Sequence, residues 1–179
     1  IAMKSIIHLL LFGWLFAIAT PTVHAQSPSR PNILFIIFDD WNGSTHAGAY
    51  GCTWINTPNF DRIAREGILF KNAFTSNPKC SPCRASILTG RNTWQLKEAV
   101  SHNGLFPAGF EVYPDLLEKA GYSVGLTGKG WGPGDFRTAA KFTRNPAGPS
   151  YDNHTQTPPA NGMGNNDYPG NFAEFMKDR

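Results

Sequence analysis

The feature that most restricts the fold is an apolar run over Asn32–Phe38 (NILFIIF), which stops abruptly at Asp39 and Asp40. A strand that is buried on both faces has a continuous apolar sequence instead of an alternating one, and such strands occur in parallel sheets. The length of the run and its β-branched residues also favour a strand. The run therefore predicts a buried strand of a parallel sheet, with two carboxylates at the point where the strand ends.

Strand and helix signals alternate along the rest of the chain. Thr57 and Pro58 are typical of an N-cap and a first helical position, and Gly67 is a typical helix terminator. Three further helices are predicted, from about Cys80 to Gly90, over Pro114–Ala120 and over Asn171–Arg179. Two further strands are predicted over Ile68–Phe74 and Tyr122–Thr127. This alternation predicts an α/β fold with a largely parallel sheet and helices on both of its faces.

The composition excludes several classes of protein. Of the 179 residues, 41% are hydrophobic and 16% are charged, which argues against a disordered chain and against a coiled coil. The net charge of +3 is too small and too scattered to indicate a nucleic-acid-binding protein. Three cysteines are too few for a disulfide-dense scaffold, and they leave a zinc site made of cysteines alone one ligand short.

Residues 1–25 have the pattern of a secretory signal peptide. Lys4 precedes an apolar run over Ile6–Ala19, and Val23, His24 and Ala25 form a small-x-small cleavage signature. The run is shorter than the roughly 20 residues that a helix needs to span a bilayer, which favours a signal peptide over a membrane anchor. We expect cleavage after Ala25, a secreted or periplasmic protein and no stable membrane anchor.

The chain has the features of a section of a longer reading frame. Ile1 and Ala2 precede Met3, and Arg179 lies inside a predicted helix. Residues 128–171 contain 8 Gly and 6 Pro, which predicts a loop of a length that is uncommon within a compact domain. We expect this loop either to be an insertion on the substrate side or to become ordered against elements further along the reading frame.

Chemically reactive side chains follow three of the predicted strands. Asp39 and Asp40 follow the first strand, Cys80 and Arg84 follow the turn after the second, and Lys129 follows the last. Ligand sites of open α/β sheets gather outside the carboxyl ends of the strands. We therefore expect these five side chains to lie in one site.

The residue types predict the chemistry of this site. A cation would relieve the repulsion between the adjacent carboxylates of Asp39 and Asp40, and ligands that are all oxygens suit Ca²⁺ or Mg²⁺. The alternative to a metal site is an ordinary polar turn. Cys80 lies at a helix N-terminus, where free N–H groups favour an anion. Arg84 lies one turn later on the same face, and its planar fork of donors suits a tetrahedral oxyanion.

The pair formed by Cys80 and Cys83 has two other interpretations. A thioredoxin-type redox pair can open a helix after a strand, and a Cys-x-x-Cys motif can supply half of a zinc site. The zinc interpretation lacks a second cysteine pair, and the redox interpretation explains neither the two carboxylates nor the two basic residues. A disulfide between Cys52 and Cys83 is a further alternative, which depends on a distance that the sequence does not give.

The segment Cys80–Arg91 (CSPCRASILTGR) closely resembles the signature of the type I sulfatases. In that family, Cys-x-Pro-x-Arg followed by Leu-Thr-Gly directs conversion of the cysteine to formylglycine. Asn32–Asp40 resembles the opening strand of the family with its two metal-binding aspartates, and Gly121–Lys129 resembles the strand that carries the active-site lysine. Residues 57–74 are similar to the segment that joins these motifs, so that the resemblance covers about residues 31–134.

Within the family, Ala73–Ser76 before the Cys-Ser-Pro sequence is most similar to the heparan N-sulfatase (sulfamidase) branch. The resemblance implies that residues 26–179 are the incomplete N-terminal portion of a catalytic domain with the alkaline-phosphatase-like fold. It also implies hydrolysis of sulfate esters or sulfamates in sulfated sugars such as glycosaminoglycans. The implied partners are a sulfated carbohydrate substrate and a formylglycine-generating maturase, with no nucleic acid.

The mechanism of the family implies a role for each site residue. Formylglycine made from Cys80 is hydrated to a diol; one hydroxyl attacks sulfur and the other helps to expel sulfate. Asp39, Asp40 and the residue at position 80 hold Ca²⁺. Arg84 fixes the diol and the metal-site carboxylates, and Lys129 contacts a sulfate oxygen.

Two departures from the family pattern leave alternatives open. Many members have His where this chain has Trp131, and a neutral indole cannot relay a proton. The remaining candidates for that role are His46, His102 and His154. The family also has an Asp-Asn pair, a second His and a second Lys after the matched region.

Two alternatives to a sulfatase therefore stay open. One is a phosphonate or phosphodiester hydrolase of the same superfamily, and the other is an inactive truncated relative.

Overall fold

The structure is a computed structural model that describes residues 30–156 and 165–179. The predicted signal peptide, residues 1–25, lies outside the described residues. Across the described ranges, none of the helices has the length and apolar character that a membrane span requires. The chain divides after Phe38 into two units, and every helix and strand given below lies in the second unit, Asp39–Arg179.

Five α-helices and two short strands form the second unit within the described residues. The helices are α1 (Gly43–His46), α2 (Pro58–Glu66), α3 (Cys80–Thr89), α4 (Tyr113–Lys119) and α5 (Tyr168–Lys177). Three 3₁₀ turns lie between them, at Gly48–Tyr50, Thr93–Gln95 and Lys97–Val100. The strands β1 (Thr155–Gln156) and β2 (Asn165–Asn166) pair antiparallel, with Thr155 opposite Asn166.

The predicted boundaries of the helices are largely confirmed. Helix α2 begins at Pro58 after its N-cap Thr57 and ends at Gly67. Helix α3 begins at Cys80 and is closed by Gly90, whose φ of 67° is in the left-handed region that glycine adopts without strain. Helix α5 begins earlier than predicted, because the Asp167 side chain accepts the N–H of Gly170 and caps the helix.

The parallel sheet predicted from the sequence does not form among the described residues. Asn32–Phe38, Ile68–Phe74 and Tyr122–Thr127 are not strands there, and the last of these makes only a single parallel bridge, from Leu126 to Ser150. A parallel strand is stable only when neighbouring strands satisfy its backbone and cover its side chains. Those neighbours are missing from the described residues, and Phe74, for example, is 94% exposed.

The hydrophobic core lies beside α3. Helix α3 contributes Ala85 and Leu88, and residues from later segments complete the buried cluster: Leu96, Ala99, Phe106, Val112 and Trp131. Phe136 and Phe142 pack against this cluster from the Gly- and Pro-rich region. The first part of the Gly- and Pro-rich region therefore packs against the core beside α3.

Candidate functional site

The first turn of α3 presents Cys80 beside the core. Lys79 has extended backbone angles (φ −127°, ψ 152°), and the helix begins at the next residue. Pro82 lies in the first turn, where a missing N–H costs no helical hydrogen bond. Ser81, Pro82 and Arg84 are buried, whereas Cys80 is only half-buried. The start of the helix is thereby anchored, and the Cys80 side chain remains accessible.

Arg84 connects three parts of the site. Its Nη1 donates hydrogen bonds to the carbonyl oxygens of Lys129 at 2.5 Å and Gly130 at 3.1 Å, and its Nη2 donates to Asp39 Oδ1 at 3.2 Å. Only 7% of the Arg84 side chain is exposed. A buried guanidinium is tolerated when its donors are paired in this way. Arg84 therefore fixes the loop that carries Lys129 and the Asp39 carboxylate at the same time.

Lys129 reaches both Asp39 and Cys80. Its Nζ donates to Asp39 Oδ2 at 2.5 Å and to Cys80 Sγ at 3.0 Å. The hydrogen bond from Lys129, followed by that from Arg84, holds the pKa of Asp39 below its usual value despite partial burial. Burial opposes the charge on Lys129, but the contacts with Asp39 and Cys80 outweigh it and raise the pKa of Lys129. Both groups are consequently ionised at neutral pH.

Asp40 stands apart from the other four predicted site residues. Its backbone has a φ of 56°, which is uncommon for a side-chain-bearing residue but better tolerated by Asp than by most. Its side chain is exposed, and within the described residues it makes no ion pair with Arg84 or Lys129. The structure thus brings Asp39, Cys80, Arg84 and Lys129 together and leaves the Asp40 carboxylate facing solvent.

The described residues do not form a complete metal site. No three His, Cys, Asp or Glu side chains in residues 30–156 and 165–179 are grouped so as to hold a metal ion. Cys80 Sγ contacts Lys129, and the Asp39 carboxylate lies between Lys129 and Arg84. The predicted set of Asp39, Asp40 and Cys80 is therefore at most part of a coordination shell.

Trp131 is a core residue in the structure. It is 3% exposed, its ring packs edge-to-face on Phe106 at 5.2 Å, and its Nε1–H donates to the Ser81 carbonyl at 3.0 Å. A tryptophan that follows Lys129 in a Gly-rich loop could serve as a platform for a sugar ring. Burial of both the ring and its N–H excludes that platform in this structure.

Two residues that the sequence analysis missed hold the loop around Lys129. Asn145 Oδ1 accepts the backbone N–H of Trp131 at 2.9 Å, and its Nδ2 donates to the Trp131 carbonyl at 3.0 Å. Asp152 Oδ1 accepts the N–H of Gly128 at 2.7 Å. Each partner lies more than ten residues away along the chain, and an isolated Asn or Asp in a loop normally indicates only a turn. No local pattern could have revealed these contacts.

The three candidate histidines lie outside the described contacts of Cys80 and Lys129. His46 packs on Trp54, and His154 lies 3.6 Å from Glu174. The carbonyl oxygen of His102 accepts the hydroxyl of Ser81, in α3, at 2.5 Å. The Nδ1 of His102 is buried and has no hydrogen-bond partner among the described residues. Within residues 30–156 and 165–179, none of the three histidines has a described contact with Cys80 or Lys129.

All three cysteines are free thiols in the structure. The Cys52 thiol donates to the Thr45 carbonyl at 3.1 Å, and Cys83 Sγ accepts the Thr75 hydroxyl at 3.4 Å. The disulfide between Cys52 and Cys83 that the sequence left open is not formed.

Comparison with known proteins identifies the family. The family model described as Sulfatase matches residues 31–178. The chain belongs to the sulfatase family. The match contains all five predicted site residues and extends beyond the region of residues 31–134 that the motifs covered.

Several characterised sulfatases are similar to this chain. N-acetylgalactosamine-6-sulfatase from Homo sapiens is 41% identical over 115 residues, which cover 58% of this chain and 22% of that protein. N-acetylglucosamine-6-O-sulfatase from Bacteroides thetaiotaomicron is 38% identical over 104 residues, 58% of this chain and 18% of that protein. N-sulphoglucosamine sulphohydrolase from Homo sapiens is 41% identical over 107 residues, 56% of this chain and 21% of that protein.

This sulfatase chain spans about a fifth of the length of the relatives that it matches. The two human relatives share the same 41% identity with it, although one is named for a sugar O-sulfate position and the other as a sulphohydrolase of an N-sulfated sugar. The comparisons therefore favour neither branch. No solved structure matches the chain.

Proposed function

We propose that this chain supplies the nucleophile-bearing part of an enzyme that hydrolyses sulfate esters or sulfamates of sulfated sugars, such as glycosaminoglycans. The observation that carries the proposal is the position of the Lys129 ammonium, 3.0 Å from Cys80 Sγ, at the start of a helix that also holds the buried Arg84. The relatives named above are enzymes for sulfated amino sugars, which supports this class of substrate.

The charges around Cys80 favour a bound anion. Two cationic side chains, Lys129 and Arg84, face one carboxylate, Asp39, so that an excess positive charge remains beside Cys80. The first turn of α3 adds N–H groups that lack helical acceptors. A sulfate group that approaches Cys80 would meet the Lys129 ammonium, which can stabilise the charge on a sulfate oxygen during transfer.

The nucleophile in this proposal is formylglycine, made from Cys80 by a maturase. The Cys80 sulfur stands where an oxygen of the hydrated aldehyde would lie. Because Cys80 is half-buried at the start of α3, while Ser81 and Pro82 are buried, the side chain is held by the helix and remains open to substrate. Attack by one hydroxyl and release of sulfate by the other is covalent catalysis, for which Lys129 and Arg84 provide the positioning.

The oxygen donors of the site suit Ca²⁺ and would supply part of its coordination shell. Carboxylate oxygens are hard ligands, and each oxygen of Asp39 accepts one cationic N–H and keeps a further lone pair. Asp40 is exposed and independent of both basic residues. Ca²⁺ takes six to eight oxygen ligands, so Asp39, Asp40 and an oxygen at position 80 require further partners. When bound, Ca²⁺ would screen the charge of the sulfate group.

The wider architecture and location belong to the same proposal. The three apolar segments that are predicted as strands need partners on both sides, which an alkaline-phosphatase-like parallel sheet with helices on both faces would supply. We also propose that the protein is secreted or periplasmic after cleavage at Ala25, and that its partners are a sulfated carbohydrate and a formylglycine-generating maturase.

The test is sulfate release by the full-length protein co-expressed with a maturase. Wild type should release sulfate from a sulfated sugar, and Cys80→Ala should lose this activity. Cys83→Ala is the matched control, because it removes a thiol one turn along the same helix and should keep most of the activity. Full activity of Cys80→Ala would overturn the proposal.

Paired sulfate and phosphate esters of one alcohol separate the proposal from its enzymatic alternative. Turnover of the phosphate ester alone would assign the chain to the phosphonate or phosphodiester hydrolases. Absence of turnover for both esters, with formylglycine present at position 80, would favour an inactive relative.

A further inference from the structure

The loop Lys129–Trp131 touches the first turn of α3 at two neighbouring points. Lys129 Nζ donates to Cys80 Sγ, and two residues later Trp131 Nε1–H donates to the carbonyl of Ser81, each at 3.0 Å. The two contacts join consecutive residues of the helix to the same short loop. Any shift of the loop that breaks one of them strains the other.

The indole is held so that it cannot turn away from Ser81. Trp131 is 3% exposed and packs edge-to-face on Phe106 at 5.2 Å and on Phe136 at 6.4 Å. The side chain of Asn145 binds both the backbone N–H and the carbonyl of Trp131. The indole N–H is therefore fixed in direction, and its loss would leave a buried carbonyl with one partner fewer.

Arg84 binds the backbone of the same loop, between the two residues that contact the first turn of α3. Its Nη1 donates to the carbonyls of Lys129 and Gly130, which precede Trp131 in the loop. The loop is thus held by the guanidinium on one side and by the indole on the other. Without the indole contact, no described hydrogen bond other than that of Lys129 itself would join the loop to the first turn of α3 next to Cys80, and Arg84, Asn145 and Asp152 would hold the loop from other sides.

We propose that Trp131 is a positioning residue, which holds the Lys129 ammonium against the side chain at position 80 by tying its loop to the first turn of α3. This inference rests on the proposed hydrolysis of sulfate groups. Displacement of a reacting group by about 1 Å can slow a reaction by up to about 100-fold. A hydrogen bond that fixes this distance therefore controls the rate more than it controls the binding of substrate.

Trp131→Phe tests the proposal, because it keeps an aromatic ring and removes only the N–H and part of the indole. In the full-length enzyme we expect kcat to fall about tenfold or more, while KM changes less than about threefold. Phe136→Leu is the matched control, since it loosens the same aromatic cluster and leaves the contact with Ser81 in place. Equal kcat values for Trp131→Phe and Phe136→Leu would overturn the proposal.

A double-mutant cycle separates positioning from a general loss of packing. If Trp131 acts through Lys129, adding Trp131→Phe to Lys129→Met should change kcat less than about twofold, because the group to be positioned is gone. Full additivity of the two losses would overturn the proposal. If Trp131→Phe does not fold, Asn145→Ala replaces it in the cycle, because Asn145 holds the Trp131 backbone.

Hydrogen exchange provides a readout that does not depend on activity. We expect the amides of residues 128–132 to exchange at least about threefold faster in Trp131→Phe than in Phe136→Leu. Equal exchange in the two variants would overturn the proposal. A wild-type protein that releases no sulfate would overturn the proposed function instead, and the exchange comparison would then decide the role of Trp131 by itself.

Discussion

The Lys129 ammonium lies 3.0 Å from the sulfur of Cys80, although 49 residues separate the two in the chain. Asp39 Oδ2 accepts a second hydrogen bond from the same ammonium at 2.5 Å. Lys129 is therefore held between a carboxylate and the side chain that we propose as the source of the nucleophile. This arrangement makes Lys129 the most direct target for mutation.

Lys129→Met should lower kcat by about 100-fold or more, because it removes the only ammonium that contacts Cys80 in the described residues. The free energy of unfolding should change by less than about 1 kcal/mol, since the pair with Asp39 is partly exposed and screened by water. Steady-state kinetics and urea unfolding measure the two effects. Lys119→Met removes a lysine that pairs with Glu111 on the surface, and it should leave both quantities unchanged.

Arg84→Lys should damage the site and the fold together. The single ammonium of lysine cannot reproduce the planar arrangement of donors that reaches two carbonyls and a carboxylate, so at least one of the three acceptors loses its partner. We expect the free energy of unfolding to fall by about 1–3 kcal/mol and kcat/KM to fall at least about tenfold. Arg91→Lys, just beyond the end of the same helix, should behave like wild type. An Arg84→Lys enzyme with normal stability and activity would show that the guanidinium is not needed to hold the Lys129 loop and Asp39 in place.

Gly130→Ala should disturb the loop that carries Lys129. A Cβ at this position would lie 2.5 Å from Asn145 Oδ1 and 2.7 Å from Leu126 Cδ2, which requires Asn145 to move off the Trp131 backbone. We expect a loss of about 1–3 kcal/mol of stability, measured by urea unfolding, together with a fall in kcat. Gly132→Ala is the control, because a Cβ there meets nothing within 4 Å. Equal stability of the two variants would show that the loop has room to adapt.

Asp135 makes a pH-dependent contribution to stability. The hydroxyl of Thr138 and then the N–H groups of Arg137 and Thr138 hold the pKa of Asp135 below its usual value of 3.8. A carboxyl whose pKa is lower in the folded state stabilises the fold above pH 3.8 and loses this effect as the pH falls through the folded pKa. The stability difference between wild type and Asp135→Asn should therefore shrink below pH 3.8 in urea unfolding curves. A difference that grows in acid would contradict this assignment.

Local patterns in the sequence predicted the helices well and the strands poorly. Thr57, Pro58 and Gly67 mark the ends of α2 through their own backbone preferences, and Gly90 does the same for α3. A strand depends instead on partners that are distant in the chain. Ile68–Phe74 has the apolar residues of a strand but no sheet partner among the described residues. Its sequence could not reveal where such a partner lies.

The rule that ligand sites gather at strand ends predicted that Asp39, Asp40, Cys80, Arg84 and Lys129 lie in one site. The structure brings Asp39, Cys80, Arg84 and Lys129 together. The contacts that bury Trp131 could not be foreseen in the same way. A tryptophan between glycines in a loop resembles an exposed platform. Only the distant contacts with Phe106 and Asn145 place it in the core.

The most direct test of the account combines two measurements on one preparation of the full-length protein. Mass spectrometry of the peptide that contains residue 80 gives the fraction of Cys80 converted to formylglycine, and released sulfate gives the activity. Activity should rise in proportion to the converted fraction and should be absent when Cys80 remains a thiol. Sulfate release that is independent of conversion would contradict the account.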